Sequence, residues 1–274
     1  MAVYLNDQFL NNDQAQLQVS DLSMQRGYAI FDFFRTVNGV PLFIDDHLDR
    51  FYASAAAMHL PMNKSREELK HIVQELLHRS SLAEAGIRLL LTGGYAADSY
   101  SIASPNLVIT CNPVKTATPD DFEKGLLVLT YEHQRELPHI KSINYIMALL
   151  LQPLLKEKRA DDVLYHNKES ITEFPRCNVF IVTKENKLVT PARNMLRGIT
   201  RKNVLALAAT SIQVEERDIS IAELFSASEV FLTSTSKKIL PVLKINDSNI
   251  GNGRPGPVTT ALYRQFIALE RNVI

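Results

Sequence analysis

A chain of 274 residues, 46% apolar and 22% charged, has the composition of a globular protein that buries its own core, and it excludes disorder as the main state. Thirty basic residues balance thirty acidic ones, so no overall field favours nucleic acid or an anionic membrane, and a ligand must be held locally. The two cysteines, Cys111 and Cys177, make neither a disulfide framework nor the paired spacing of a zinc site, which fits a reducing, cytoplasmic setting.

The first ten residues have no basic n-region and no long apolar h-region, so no signal peptide is expected. Residues 3–10 read as two short strands around Asn6-Asp7, a turn dipeptide with alternating apolar neighbours. The spacing predicts a helix over 45–58, with Leu48, Phe51, Tyr52, Ala55 and Ala56 along one stripe. Ser65 with Glu68 is a capping-box signature, and Leu69, Ile72, Val73, Leu76 and Leu77 follow at helical spacing. Short apolar runs at 87–92 and 106–111, bounded by Gly93-Gly94, Pro105 and Pro113, read as strands.

The stretch PVKTATPDDFEKG at 113–125 combines prolines, small polar residues and charges without apolar periodicity, and reads as a linker. Beyond it the sequence predicts a strand at 126–131, a helix over about 143–158 and a strand at 163–166. Strands at 179–182 and 187–189, a helix after Thr200, strands at 230–232 and 239–245, and a helix after Pro257 complete the chain. The most apolar stretch, 146–155, carries Gln152 and Pro153 and falls well short of the ~20 residues needed to cross a bilayer, so no membrane span is expected. The expectation is an α+β protein of two domains: a smaller N-terminal one at 1–113, a linker at 114–125 and a larger C-terminal one at 126–274. A cleft between domains is a favoured place for a ligand.

The usual catalytic signatures are missing: there is no G-x-S-x-G elbow, Walker loop, G-x-G-x-x-G or H-E-x-x-H. The seven histidines are scattered singly, which argues against a metal centre. The basic run 156–159 falls where a helix should end, where cations oppose the negative end of the macrodipole, so it calls for no nucleic acid. Five ordered segments remain. FIDDHLDRFYASAA offers Arg50 on a helix; HIKSINYIMALL sets Lys141 before a helix with Asn144 and Tyr145 behind it. ITEFPRCNVFIV places Glu173 between strands, LRGITRKNVLALA sets Gly198, Ile199 and Thr200 at a helix start, and VFLTSTSKKILPV puts Thr233 to Ser236 after a strand.

In this order and spacing the segments resemble the class-IV aminotransferases, the fold-type-IV pyridoxal-phosphate enzymes, over practically the whole chain. The resemblance implies an α+β, two-domain enzyme with pyridoxal 5'-phosphate at the domain interface, and it puts the Schiff-base lysine, Lys141, in the larger domain. It implies that Lys141 anchors the cofactor and then moves the substrate proton, and that Glu173 pairs with the pyridine nitrogen so that carbanion charge drains into the ring. Arg50, the Ile199 and Thr200 amides, Gly198, and Ser234 with Thr235 match the family's phosphate cup; Leu196 matches the apolar residue under the ring, and Tyr145 the aromatic hydroxyl near it.

The chain departs from the family after the glutamate, where Phe174, Pro175, Arg176 and Cys177 replace the usual glycine and small hydroxyl residues. Arg176 is thereby a candidate for the substrate carboxylate, as are Arg88 and Arg26, the last across a dimer interface; three arginines near one site would favour dicarboxylates such as glutamate and 2-oxoglutarate. The expected partners are a small amino acid and a 2-oxo acid (2-oxoglutarate or pyruvate), and the expected assembly a homodimer. A D-amino-acid aminotransferase is the leading reading, of the kind lacking the Arg and His pair that usual members carry just after this strand, since TGGYAADSYS does not contain it. A branched-chain aminotransferase, an aminodeoxychorismate lyase and a binding protein without turnover are the alternatives.

Overall fold

A computed structural model describes residues 2–273. The chain divides into two compact units: one runs up to Lys115 and takes in Ile140–Asn144, and the other comprises Thr116–His139 and Tyr145–Asn272.

The first unit begins with β1 (Ala2–Leu5) and β2 (Gln8–Asn11), an antiparallel pair whose turn residues Asn6 and Asp7 adopt positive φ, as the dipeptide foretold. Then follow α1 (Leu22–Arg26), β3 (Ala29–Val37), β4 (Val40–Pro41), α2 (Ile44–Ala57), α3 (Arg66–Ser80), β5 (Ala85–Thr92) and β6 (Leu107–Pro113). The six strands form an antiparallel sheet in the order β2-β1-β6-β5-β3-β4. Alternation along β5 sends Ile87, Leu89 and Leu91 into the core, where they meet Leu48, Phe51 and Ala55 of α2 and the apolar stripe of α3. The α3 capping box is present, with Ser65 Oγ accepting from the Glu68 amide and the Glu68 carboxylate accepting from the Ser65 amide.

The second unit holds α4 (Pro119–Lys124), β7 (Leu126–Glu132), α5 (Ile146–Leu150), α6 (Gln152–Lys158), β8 (Asp162–His166), β9 (Asn178–Val182), β10 (Lys187–Thr190) and α7 (Ile199–Ala208). It ends with β11 (Gln213–Glu216), α8 (Ile221–Ser226), β12 (Glu229–Ser234), β13 (Lys238–Ile245), β14 (Ser248–Asn249) and α9 (Pro257–Asn272). Its mixed sheet runs β11-β10-β9-β12-β13-β7-β8, with β14 pairing β13. Strands β9 and β12 are buried almost throughout, and Val179, Ile181, Val230 and Leu232 form the centre of the second core.

Three expectations need correction. The stretch read as a linker at 114–125 contains α4, capped by Thr118 and Asp121 and anchored by Phe122 in the second core, and the division of the chain falls at Lys115. The continuous helix expected over 143–158 begins only at Ile146 and is interrupted at Leu151, because Pro153 has no N–H to bond back along the helix. Finally, Lys141 belongs to the first unit, not to the larger C-terminal one: Phe31 N donates to the Lys141 carbonyl at 2.9 Å and Ile143 N to the Ala29 carbonyl at 3.1 Å, so the segment lies along β3. No helix among the described residues is long and apolar enough to cross a membrane, and no cluster of metal-binding side chains occurs among them.

Candidate active site

In the first unit, the period of β3 separates two chemistries. Ile30, Asp32 and Phe34 face the core, and Phe31 faces the other way. Opposite Phe33 in the sheet and diagonal to Phe31, the exposed Arg88 leaves the core on the outer face of β5 and sets its guanidinium carbon 4.6 Å from the Phe31 ring centroid. The half-buried Lys141 places its Nζ at 4.6 Å from the same centroid, while its amide donates to Ser54 Oγ at 3.4 Å. An ammonium and a guanidinium thus share one aromatic ring, a quadrupole contact that restrains both cations without neutralising either.

On the core side, Asp32 is fully buried and accepts a forked pair of hydrogen bonds from Arg50, Nε to Oδ2 and Nη2 to Oδ1, each 2.8 Å. His47 Nδ1 lies 2.7 Å from Oδ1. Burial pushes the Asp32 carboxyl up, but the Arg50 charge and hydrogen bonds, with His47 in support, outweigh it and hold the group well below the usual carboxylate range. For His47 burial wins over the attraction of Asp32 and the imidazole stays neutral to lower pH than usual, so its Nδ1 is the proton donor to Asp32. Arg50 therefore carries a fixed orientation, set by a two-point clamp.

In the second unit, Glu173 is buried at 4% exposure. Its Oε1 accepts from Arg135 Nε at 2.7 Å and its Oε2 from the Leu196 amide at 2.9 Å. Arg135 is held in turn by the Pro138 carbonyl at 2.6 Å. The Leu196 carbonyl accepts from Asn178 Nδ2 at 2.7 Å, so Glu173, Leu196 and Asn178 are one hydrogen-bonded set. Asn178 Oδ1 packs against Gly198 and occupies the space a Cβ would take there; only glycine fits. Gly198 is the N-cap of α7 and supplies no side chain to the first-turn amides of Ile199 and Thr200. On β12, Thr233 Oγ1 is buried with no hydrogen-bond partner among the described residues, beside Asn178 in the sheet register. Ser234 Oγ accepts from the Lys237 amide at 3.1 Å. A helix start without a side-chain acceptor, a glycine at the point of closest approach and an orphaned buried hydroxyl suit the phosphate of a cofactor, and a buried carboxylate suits a protonated ring nitrogen.

The structure thus brings Lys141 and Arg88 onto one ring in the first unit, with Arg50 one strand face away, and joins Glu173, Leu196 and Gly198–Thr200 in the second. Tyr145 is the half-buried residue at the start of α5. Arg176 and Arg26 are exposed, and among the described residues Arg26 bonds only the Gln25 carbonyl, at 2.8 Å. Sequence reasoning missed Asp32, His47, Phe31 and Arg135. A carboxylate inside the apolar run AIFDFF is a signal for Asp32, since a buried charge demands a partner; nothing in HQREL marks Arg135. Cys177 is inert, because burial pushes its thiol up to about 11.

Residues 29–245 match the model of the family described as amino-transferase class IV. The D-alanine aminotransferase of Staphylococcus haemolyticus is 31% identical over 271 residues, covering 96% of this chain and 96% of that protein. A putative branched-chain-amino-acid aminotransferase of Methanocaldococcus jannaschii is 30% identical, covering 97% and 95%. In fold, the chain resembles the branched-chain amino acid aminotransferase of Escherichia coli, with a TM-score of 0.90 at 24% identity over 98% of this chain and 94% of that one. It also resembles the PLP-bound form of a hypothetical aminotransferase from Mycobacterium tuberculosis, with a TM-score of 0.85 at 22% identity over 98% of each chain. The match of sequence along nearly the whole chain, on the α+β fold those enzymes share, makes this protein a member of the class IV aminotransferases, a family of pyridoxal-phosphate transaminases.

Proposed function

We propose that the protein transfers the amino group of a D-amino acid to a 2-oxo acid, with acidic or small substrates preferred over branched-chain ones, and that it does so as a homodimer. The observation that carries this reading is the placement of Arg88 and Lys141 on the ring of Phe31, each 4.6 Å from its centroid. A guanidinium held on the ring that also carries the Lys141 amine matches a carboxylate, whereas burying it against an isobutyl or isopropyl side chain would cost its hydration with no return. D-Alanine aminotransferases at 31% and 29% identity are compatible with the D-specific reading, but a putative branched-chain enzyme at 30% is equally similar, so the preference for acidic or small substrates rests on the arginine and not on identity.

Pyridoxal phosphate, when bound, supplies an electron sink for charge developing at the substrate α-carbon. Lys141 Nζ is the group that holds the cofactor and moves the α-proton. Glu173, fixed by Arg135 and the Leu196 amide, would face the pyridine nitrogen and favour its protonated form. Arg50, oriented by Asp32, serves the phosphate together with the Ile199 and Thr200 amides, Ser234 and Thr235. Leu196 and Tyr145 would line the cofactor ring, the one through its apolar side chain and the other through its hydroxyl. Arg26, Arg88 and Arg176 are assigned to the carboxylates of the substrate.

The holoprotein incubated separately with D-alanine, D-glutamate, L-leucine and aminodeoxychorismate tests this. The account expects the visible absorbance to fall with the two D-amino acids and 2-oxoglutarate to restore it. Conversion by L-leucine alone would give the branched-chain reading, pyruvate release from aminodeoxychorismate the lyase reading, and no response to any of them a binding protein.

A further inference from the structure

Asp21 is a second buried carboxylate in the first unit, fully inaccessible, and unlike Asp32 it has only neutral donors around it. It caps α1, its Oδ1 accepting from the Ser23 amide at 2.8 Å. Its Oδ2 accepts from Thr92 Oγ1 and from Asn106 Nδ2, each at 2.7 Å. Thr92 closes β5 and Asn106 precedes β6, so one side chain ties the helix to the ends of two central strands. Further bonds seal the junction: Leu22 N donates to the Gly94 carbonyl at 3.0 Å, Gly93 N to the Tyr28 carbonyl at 2.9 Å, and Asn6 Nδ2 to Asn106 Oδ1 at 2.6 Å. Gly94, at a φ of +80°, leaves no room for a side chain, since a Cβ would run into the Ser104 carbonyl.

What this base carries is Arg26. The helix is five residues long, too short to hold itself, and Arg26 closes it before Gly27 turns the chain at positive φ. Three residues later β3 begins, the strand against which the Lys141 segment is bonded, and Thr92 pairs Ala29 there. Arg26 is exposed, and among the described residues no acidic side chain pairs with it. A network of neutral donors spent on a buried charge is a costly way to cap a five-residue helix, and a reasonable one if the end of that helix must be held still.

We infer that Asp21 is a positioning residue for carboxylate recognition by Arg26, a role that rests on the reading of Arg26 as a substrate ligand. The test is a steady-state comparison in the holoenzyme. Asp21→Asn turns an acceptor into a donor facing Asn106 and should raise KM for the 2-oxo acid about tenfold with kcat within a factor of about two, and Thr92→Val, which removes one donor, should raise it by less. Asp21→Asn combined with Asn106→Asp restores donor against acceptor and conserves charge, so it should return KM towards the parent value. Arg26→Ala should match Asp21→Asn, and the two together should add nothing further. A merely structural Asp21 would lower the melting temperature and leave KM unchanged, which overturns the inference; so does a raised KM in Arg26→Ala with none in Asp21→Asn. If Arg26→Ala itself leaves KM unchanged for every carboxylate tried, the reading of Arg26 fails, and the role of Asp21 with it.

Discussion

Arg135 and Glu173 form an ion pair that water hardly reaches, their side chains 13% and 5% exposed. Removing one partner of such a pair strands the other charge and costs roughly 3–5 kcal/mol, far more than the attraction it deletes. Arg135→Ala should therefore lower the unfolding free energy of the cofactor-free protein by about 3 kcal/mol, read from urea denaturation. The pair of Arg193 and Asp218, 74% and 46% exposed, is the internal control: Arg193→Ala should change stability by less than about 1 kcal/mol. Equal losses in both variants would show that Glu173 is relieved of its charge or reached by solvent. Lys141, Glu173 and Arg50 were open to proposal from the sequence because each sits in a recognisable segment of fixed order. Arg135 was not, since the residue that orients a functional group answers to geometry alone and leaves no spacing in the chain.

Among the elements, α7 shows how a helix start becomes a binding surface. Its N-cap must be glycine because Asn178, already committed to the Leu196 carbonyl at 2.7 Å, fills the space a Cβ would need. Gly198→Ala should push Asn178 aside and loosen the loop at Leu196 that Asn178 holds, weakening pyridoxal-phosphate affinity at least about tenfold in a spectroscopic titration. Unchanged affinity would remove α7 from the phosphate site. Helix α3 was readable to its capping box, because its apolar stripe and its cap agree. Helix α4 carries the same kind of cap in Thr118 and Asp121, yet two prolines and a run of charges hid it in what looked like a linker. Strand β3 was missed altogether: AIFDFFRTV is buried on both faces at several positions and shows no clean alternation.

For the whole molecule, the two cores were foreseeable and the path between them was not. The Lys141 segment joins the first unit through main-chain bonds to Ala29 and Phe31, and such bonds impose no side-chain pattern that a sequence could display. The same unit contains the groups that set its acid sensitivity. The unfolded chain takes up protons on histidine near 6.5 and on aspartate near 3.8, whereas folded His47 and Asp32 both resist protonation until lower pH. The unfolded state therefore binds more protons, and stability must fall as pH drops, first through the window below about 6.5 and again below about 4. His47→Gln should flatten the first of these declines in a series of thermal melts between pH 7 and about 5, leaving the second in place. A parent protein equally stable across that range would contradict the neutral, buried assignment of His47.

The claim on which the account turns is that the amine of Lys141 is the cofactor's covalent anchor. Holoprotein reduced with borohydride, digested and analysed by mass spectrometry measures this directly. The account predicts a pyridoxyl phosphate adduct on the peptide containing Lys141 and none after Lys141→Ala; an adduct on another lysine, or no adduct in a protein that retains its visible absorbance, would contradict it.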